Sequence, residues 1–220
     1  MSSRQEEKEQ RKRERLEREA AEKKAAQRKR LVQILGGVVI AAAVIVGVVL
    51  AGTGGGGDDD RDAGDLTAAA KKAGCTVKNF PDYGSTHVPK KLTAKDFKTN
   101  PPTSGDHNVT PAQDGVYAPD NEPEIQNWVH TLEHGRIIFM YRKGTAKGRI
   151  AQLQNLFNEE SQGKSGYHSV LMQNNSEMPF EVTAVAWRRY IACPTFTDGA
   201  LPAMRAFRDV YVDTAPEQIP

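Results

Sequence analysis

The stretch NWVHTLEHG, residues 127–135, places two of the five histidines of this 220-residue chain four positions apart, with a glutamate between them. On a helix this spacing brings both imidazoles to one face. The apolar side chains of this segment, together with Ile125 just before it, form a separate stripe made of Ile125, Trp128, Val129 and Leu132. By helical steps, His130 and His134 lie roughly opposite that stripe. The two histidines are therefore expected to face solvent or a second layer of protein.

The elements around this helix follow from hydrophobic periodicity and from helix-end residues. Pro123 near the start and Gly135 just past the end bound the helix at about residues 122–134. Apolar or alternating runs predict strands, and apolar positions three or four apart predict further helices. These are strands over residues 136–141, 168–172 and 181–187, and helices over 66–73, 145–160 and from Pro202 onward. The order predicts an α+β fold, either a general or a thioredoxin-like sandwich of helices against a small sheet.

An apolar segment separates this domain from a charged N-terminus. Residues 31–51 carry no charged side chain, and a helix of that length spans the roughly 30 Å hydrocarbon core of a bilayer. We predict a single transmembrane helix, because the segment is longer than the apolar region of a cleaved signal peptide; cleavage is the alternative. The basic flank places residues 1–30 in the cytoplasm and the domain outside the plasma membrane. Residues 52–65 are a Gly/Asp-rich linker, 66–214 the extracytoplasmic domain and 215–220 a tail.

Charge is unevenly divided along the chain. Residues 1–30 carry twelve Lys or Arg against seven Glu, whereas the remainder carries eighteen basic and twenty-one acidic side chains. This division indicates two environments and argues against a nucleic-acid-binding surface. The expected partner is the lipid bilayer. The basic segment either contacts anionic lipid or a cytoplasmic protein, or is a solvated helix that only enforces the topology.

The two cysteines, Cys75 and Cys193, both lie on the predicted outer side of the membrane, where disulfides persist. Two cysteines allow one intramolecular pairing, and the chain has no Cys-x-x-Cys motif typical of redox sites. We therefore predict one structural disulfide between them.

Two turn-rich segments upstream of the helix carry further histidines. His87 lies in HVP, residues 87–89, and His107 ends PPTSGDH, residues 101–107. Together with VHTLEHG, residues 129–135, these segments resemble the family known as domain of unknown function 3105, over about residues 80–211. The resemblance implies a membrane-anchored extracytoplasmic protein with the fold of that family. It implies no activity and no catalytic residues.

The histidines predict a transition-metal site. Four of them are expected to converge: His87, His107, His130 and His134. Imidazole nitrogen is a ligand for copper and zinc, and copper is slightly favoured here because the disulfide already provides a structural staple. Glu133 and Asp106 are expected to orient the rings as hydrogen-bond partners. His168 begins a strand, and it belongs either to the edge of the core or to the edge of the site.

Two other functions use the same residues. The spacing of His130, Glu133 and His134 matches the His-x-x-Glu-His pattern of zinc peptidases, in which the glutamate is the general base. A third zinc ligand would then come from one of three glutamates, Glu159, Glu160 or Glu177. The small domain and the helix end at Gly135 count against a hydrolase. The other alternative is a non-enzymatic cell-envelope interaction module, in which neutral imidazoles brace the loops through both ring nitrogens.

Overall fold

A computed structural model describes residues 59–217 and Ile219, which belong to one compact unit of the chain. The charged segment predicted over residues 1–30, the transmembrane helix predicted over 31–51 and residues 52–58 of the predicted linker lie outside the described part. Within the described part, no helix is both long enough and apolar enough to cross a membrane.

The described residues form four α-helices and eight strands. The helices are α1 (Asp59–Ala73), α2 (Ile125–Glu133), α3 (Lys147–Asn158) and α4 (Ala200–Tyr211). The strands are β1 (Thr76–Asn79), β2 (Gly115–Val116), β3 (Ile137–Tyr141), β4 (Glu160–Ser161), β5 (Lys164–Ser165), β6 (Ser169–Gln173), β7 (Val182–Ala186) and β8 (Arg189–Cys193). A short 3₁₀ turn covers Ala94–Asp96.

Six of the strands form one mixed sheet in the order β1-β8-β7-β3-β6-β2. The central strand β3 pairs in parallel with β6 and antiparallel with β7. Parallel neighbours need a crossover connection, and α3 lies in the connection from β3 to β6. Strands β7, β8 and β1 continue the sheet with antiparallel pairing. The predicted α+β class is confirmed, because helices pack on a sheet that contains both kinds of pairing.

Helices cover both faces of this sheet. Successive side chains of a strand point to opposite faces. In β3, Ile137, Phe139 and Tyr141 join the core formed with α1, α3 and α4. Ile138 and Met140 join the core beneath α2. The run is apolar throughout because both faces are covered. The α2 side is completed by the long irregular segment between β1 and α2, and this segment carries two of the candidate histidines.

Cys75 and Cys193 form the predicted disulfide. Cys75 directly precedes β1 and Cys193 ends β8, so the bond joins neighbouring antiparallel strands. Both cysteines are buried in the core shared with α1 and α4. The bond therefore fastens the edge strand β1, from which the chain continues towards His87.

The largest differences between the predicted and observed helix boundaries lie at the starts of α1 and α2. α1 begins at Asp59, so residues 59–65 are helical rather than part of the linker. Leu66 and Ala70 anchor this helix in the core. α2 begins at Ile125, later than the predicted residue 122. Its N-cap residue makes no side-chain capping bond, so packing rather than local chemistry sets where it starts.

Strand β8 follows β7 through a turn that the sequence does not signal. Arg188 adopts a φ of 64°, a left-handed conformation that hairpin turns usually assign to glycine or asparagine. A tertiary contact stabilises it, because the backbone N–H of Arg188 donates to the Thr103 carbonyl at 2.8 Å. The turn is thus held by a distant loop, which explains why local residue types do not reveal it.

Candidate metal centre

The C-terminal end of α2 carries three of the candidate groups. Trp128 and the other apolar residues of the helix are buried against the sheet, which sets the rotation of the helix about its axis. His130, Glu133 and His134 therefore face the layer of loops, where all three are buried. The second layer of protein anticipated for the two histidines is present.

The segment between β1 and α2 supplies this layer. The stretches around His87 and His107 run side by side in parallel, and the backbone N–H of Val88 donates to the His107 carbonyl at 2.8 Å. The side-chain amide of Asn127 donates to the Thr110 carbonyl at 2.8 Å, which ties the loops to α2. The backbone pairing and the Asn127 hydrogen bond together bring the imidazoles of His87 and His107 to the C-terminal end of α2.

The structure brings all four predicted histidines together. Ring centroids are 5.0 Å apart for His87 and His107, 4.6 Å for His87 and His130, and 4.7 Å for His107 and His130. The His134 ring lies 4.4 Å from that of His130. Only His87 of the four is exposed. The cluster is thus a buried set of nitrogen ligands that reaches solvent at His87.

Hydrogen bonds to backbone carbonyls determine which ring nitrogens are available. His107 Nδ1 lies 2.8 Å from the Gly105 oxygen, and His130 Nδ1 lies 2.7 Å from the Asn108 oxygen. A carbonyl oxygen can only accept, so each Nδ1 carries the proton and donates it. In the neutral rings, each Nε2 therefore keeps a lone pair. Such a bond fixes the tautomer and the ring orientation of many metal-bound histidines.

Two buried atoms at the centre of the cluster have no hydrogen-bond partner: His107 Nε2 and Glu133 Oε2. They lie 3.0 Å apart, close enough for an ion pair, although the angles do not make a hydrogen bond. In the Nδ1–H tautomer that the bond to Gly105 fixes, both facing atoms are acceptors. Buried polar groups without partners are rare and costly. Two facing acceptors are the arrangement that a shared cation would satisfy.

Burial also keeps the α2 histidines uncharged at neutral pH. Burial lowers the pKa of His130 from 6.5 to about 4, reinforced by the neighbouring histidines and opposed by the bond to Asn108. Burial lowers the pKa of His134 as well, with Arg136 adding to the effect and Glu217 opposing it. Metal binding requires neutral imidazoles, so these rings are ready to bind without first losing a proton.

The atoms that could hold a metal ion divide into two groups, each with all its atoms within 4.8 Å of one another. The inner group contains His87, His107, His130 and Glu133, and the outer group contains His130, His134 and Glu217. The structure thus places Glu133 among the ligand atoms and separates His134 from the inner set. Asp106 is exposed and belongs to neither group of the described residues.

Glu217 is a site residue that sequence reasoning missed. Its Oε2 lies 3.4 Å from His134 Nε2, and its backbone N–H donates to the Glu133 carbonyl at 3.1 Å. It lies in the segment interpreted as a tail, and no local motif marks it. The contact depends on how the chain returns after α4, which no short-range signal reports.

His168 lies outside both groups. Its Nδ1 is 2.6 Å from an oxygen of Asp213, whose other oxygen accepts from the Tyr167 hydroxyl at 2.8 Å. The Tyr167 and His168 rings are stacked 3.9 Å apart. This arrangement ties the start of β6 to the segment after α4, so His168 has a bracing role.

The zinc-peptidase pattern does not assemble as that chemistry requires. Glu133 faces His107 at ligand distance instead of standing apart from the ligands as a general base. The proposed third ligands, Glu159, Glu160 and Glu177, belong to neither ligand group of the described residues. Glu159 instead pairs with Arg205.

Gly135 allows the C-terminal segment to pack against the end of α2. Its φ is 82°, and a Cβ there would lie 2.8 Å from Asp213 Cα. The Asp213 N–H donates to the Gly135 carbonyl at 2.9 Å, so the two backbones cannot move apart freely. We expect Gly135→Ala to lower the free energy of unfolding by about 2 kcal/mol in urea denaturation, because it adds backbone strain and a backbone clash.

A matched control for that substitution is Gly144→Ala. Gly144 has a φ of 86°, yet nothing lies within 4 Å of the position of an added Cβ. It therefore incurs the conformational strain without the clash, and the loss should be smaller, about 1 kcal/mol. Equal losses in the two variants would show that the contact with Asp213 does not constrain the fold.

Comparison with known proteins identifies the family of this chain. Neither a curated protein nor a solved structure matches it. Residues 87–219, more than half of the chain, match the family described as "Protein of unknown function (DUF3105)". The match begins at the first histidine of the inner group and includes every residue of both ligand groups. The chain belongs to the DUF3105 family.

Proposed function

We propose that this protein binds one divalent transition-metal ion through His87, His107, His130 and Glu133. The observation that carries the proposal is the pair of buried, unpartnered acceptors, His107 Nε2 and Glu133 Oε2, 3.0 Å apart within the cluster. A bound cation would accept both lone pairs and remove the cost of leaving them unpaired.

The donor set favours copper or zinc. Three imidazoles suit both metals, and the carboxylate adds a hard anionic oxygen. The inner group contains no thiolate or thioether, the soft ligands that select Cu(I), so Cu(II) and Zn²⁺ are the ions to test. Four ligands fit tetrahedral zinc. Of these four candidate ligands, only His87 is exposed to solvent.

The alternative of an envelope module with purely structural histidines explains only part of the geometry. The two Nδ1 bonds to Gly105 and Asn108 do brace the loops, as that alternative requires. A bracing role would also require a hydrogen bond from His107 Nε2, which makes none although Glu133 Oε2 lies 3.0 Å away. The metal function accounts for both ring nitrogens and is therefore preferred.

The location is also a proposal. We infer that residues 31–51 anchor the chain in the plasma membrane, with the domain outside. Residues 1–30 lie in the cytoplasm in this proposal, where they meet anionic lipid. The uncharged segment and its basic flank support this topology. The disulfide supports an oxidising compartment. The strand order β8-β7-β3-β6, with α3 and α4 among the helices on one face, supports a thioredoxin-like class.

Metal titration tests the proposed function. The purified full chain, kept in detergent, is expected to bind one Zn²⁺ or one Cu²⁺ in competition with a chelator of known affinity. His87→Ala should weaken binding by about tenfold, because water can replace a ligand at this exposed position. His168→Ala is the matched control and should leave the affinity unchanged.

A wild-type chain that neither retains nor takes up Zn²⁺, Cu²⁺ or Ni²⁺ would exclude metal binding. Equal affinity losses in His87→Ala and His168→Ala would show that the inner group is not the ligand set.

A further inference from the structure

We propose that His130, His134 and Glu217 form a second, outer position for the same ion, occupied as the ion enters or leaves the inner group. This inference rests on the proposed metal function and adds the route of exchange. The outer ligand atoms lie within 4.8 Å of one another, and the rings of His130 and His134 are 4.4 Å apart. Two nitrogens and a carboxylate suit the same class of ion as the inner group.

The two positions share His130, so they cannot both be complete at once. His130 Nδ1 donates to the Asn108 carbonyl at 2.7 Å, which leaves Nε2 as the one nitrogen with a lone pair. One lone pair binds one ion. The geometry therefore describes alternative positions for a single ion, with His130 remaining bound while the other ligands are exchanged.

The deeper burial of its carboxylate and the charge beside the outer group make the inner position the resting one. The side chains of His107 and Glu133 are 0% and 4% exposed, whereas that of Glu217 is 46% exposed. Solvent screens the outer carboxylate and weakens its attraction for a cation. Arg136 donates to the His134 carbonyl at 2.9 Å, which places a positive charge beside the outer group. An ion held there is bound more weakly, as a position of transit requires.

The chain after α4 holds the outer carboxylate in place. The Glu217 N–H donates to the Glu133 carbonyl at 3.1 Å, and the Asp213 N–H donates to the Gly135 carbonyl at 2.9 Å. These bonds align the C-terminal segment with the end of α2. Glu217 is thereby held at the surface beside His134 and reaches both solvent and the buried ring.

The test measures exchange rates and affinity in the same full chain. Zn²⁺ is loaded, and its release to an excess of a chromogenic chelator is followed by stopped flow; uptake is followed in reverse. Glu217→Gln and His134→Ala should each slow both rates by about tenfold, the scale of losing one supporting group at a metal site. Because uptake and release use the same route, the Kd should stay within about twofold. Glu160→Gln, at an exposed carboxylate on β4, is the control and should alter neither rate.

The competing route is direct exchange past the exposed His87, and it predicts unchanged rates in Glu217→Gln. That result, or two ions bound per chain, would overturn the outer position while leaving the proposed metal function intact. A wild-type chain that binds no metal would overturn both. Glu217→Gln alters an exposed side chain, so it tests the route even if His134→Ala does not fold.

Discussion

Reduction of the Cys75–Cys193 disulfide is expected to lower the free energy of unfolding by about 4 to 5 kcal/mol, because the closed loop is long. The cysteines are 118 positions apart, so the bond removes many conformations from the unfolded chain. A loss of this size is a large part of the stability of an ordinary domain. Urea denaturation of the full chain with and without reductant measures it.

The same experiment has an internal control. The variant with both Cys75→Ala and Cys193→Ala should unfold at a lower urea concentration and should not respond to reductant. Free-thiol labelling of the unreduced, denatured wild-type chain should find no reactive cysteine. If reductant lowered the free energy of unfolding by less than about 1 kcal/mol, the disulfide would not make the large contribution to stability expected here.

Glu133→Gln is expected to stabilise the metal-free protein and to weaken metal binding. The amide would present a donor to His107 Nε2, where the carboxylate presents a second acceptor at 3.0 Å. Satisfying two buried atoms with one hydrogen bond should raise the free energy of unfolding by about 1 to 2 kcal/mol. The amide loses the anionic oxygen, so Zn²⁺ affinity should fall about 100-fold. Denaturation without metal and chelator competition measure the two effects.

Glu133→Gln is diagnostic because it should raise the free energy of unfolding while it lowers Zn²⁺ affinity. A purely structural Glu133 would lose stability on substitution and have no metal affinity to lose. Glu133→Ala separates the effects, because it should lower both stability and affinity by leaving a cavity. Glu160→Gln should change neither quantity, since its side chain is exposed. Destabilisation by Glu133→Gln with unchanged Zn²⁺ affinity would contradict the role of Glu133 as a metal ligand in the inner group.

Local patterns were sufficient for the parts of the fold that depend on neighbouring residues. The apolar run of β3 and the stripe on α2 are visible because side chains on one face recur at a fixed spacing. The same periodicity indicates that His130 and His134 turn away from the core. The disulfide follows from having two cysteines on the predicted outer side of the membrane, which leaves one pairing.

Features that depend on contacts between distant segments could not be predicted from those local patterns. The β7–β8 turn has no glycine or asparagine, since a loop carbonyl holds Arg188 in its left-handed conformation. α1 extends back to Asp59 into a segment whose composition indicates a linker. At the turn a tertiary contact outweighs local propensity, whereas residues 63–65 of α1 are exposed and extend a helix that is anchored from Leu66 onward.

The amino-acid sequence determined which ligand types are available and which of them share a helix face, because helical spacing is a local property. The tertiary structure alone decided how those ligands are grouped. The pairing of the His87 and His107 segments, the tautomers set by Gly105 and Asn108, and the return of Glu217 to the end of α2 are contacts made across the fold. Such contacts arise only when the core has fixed the relative positions of the helix and the loops. The division into an inner and an outer group therefore belongs to the folded chain.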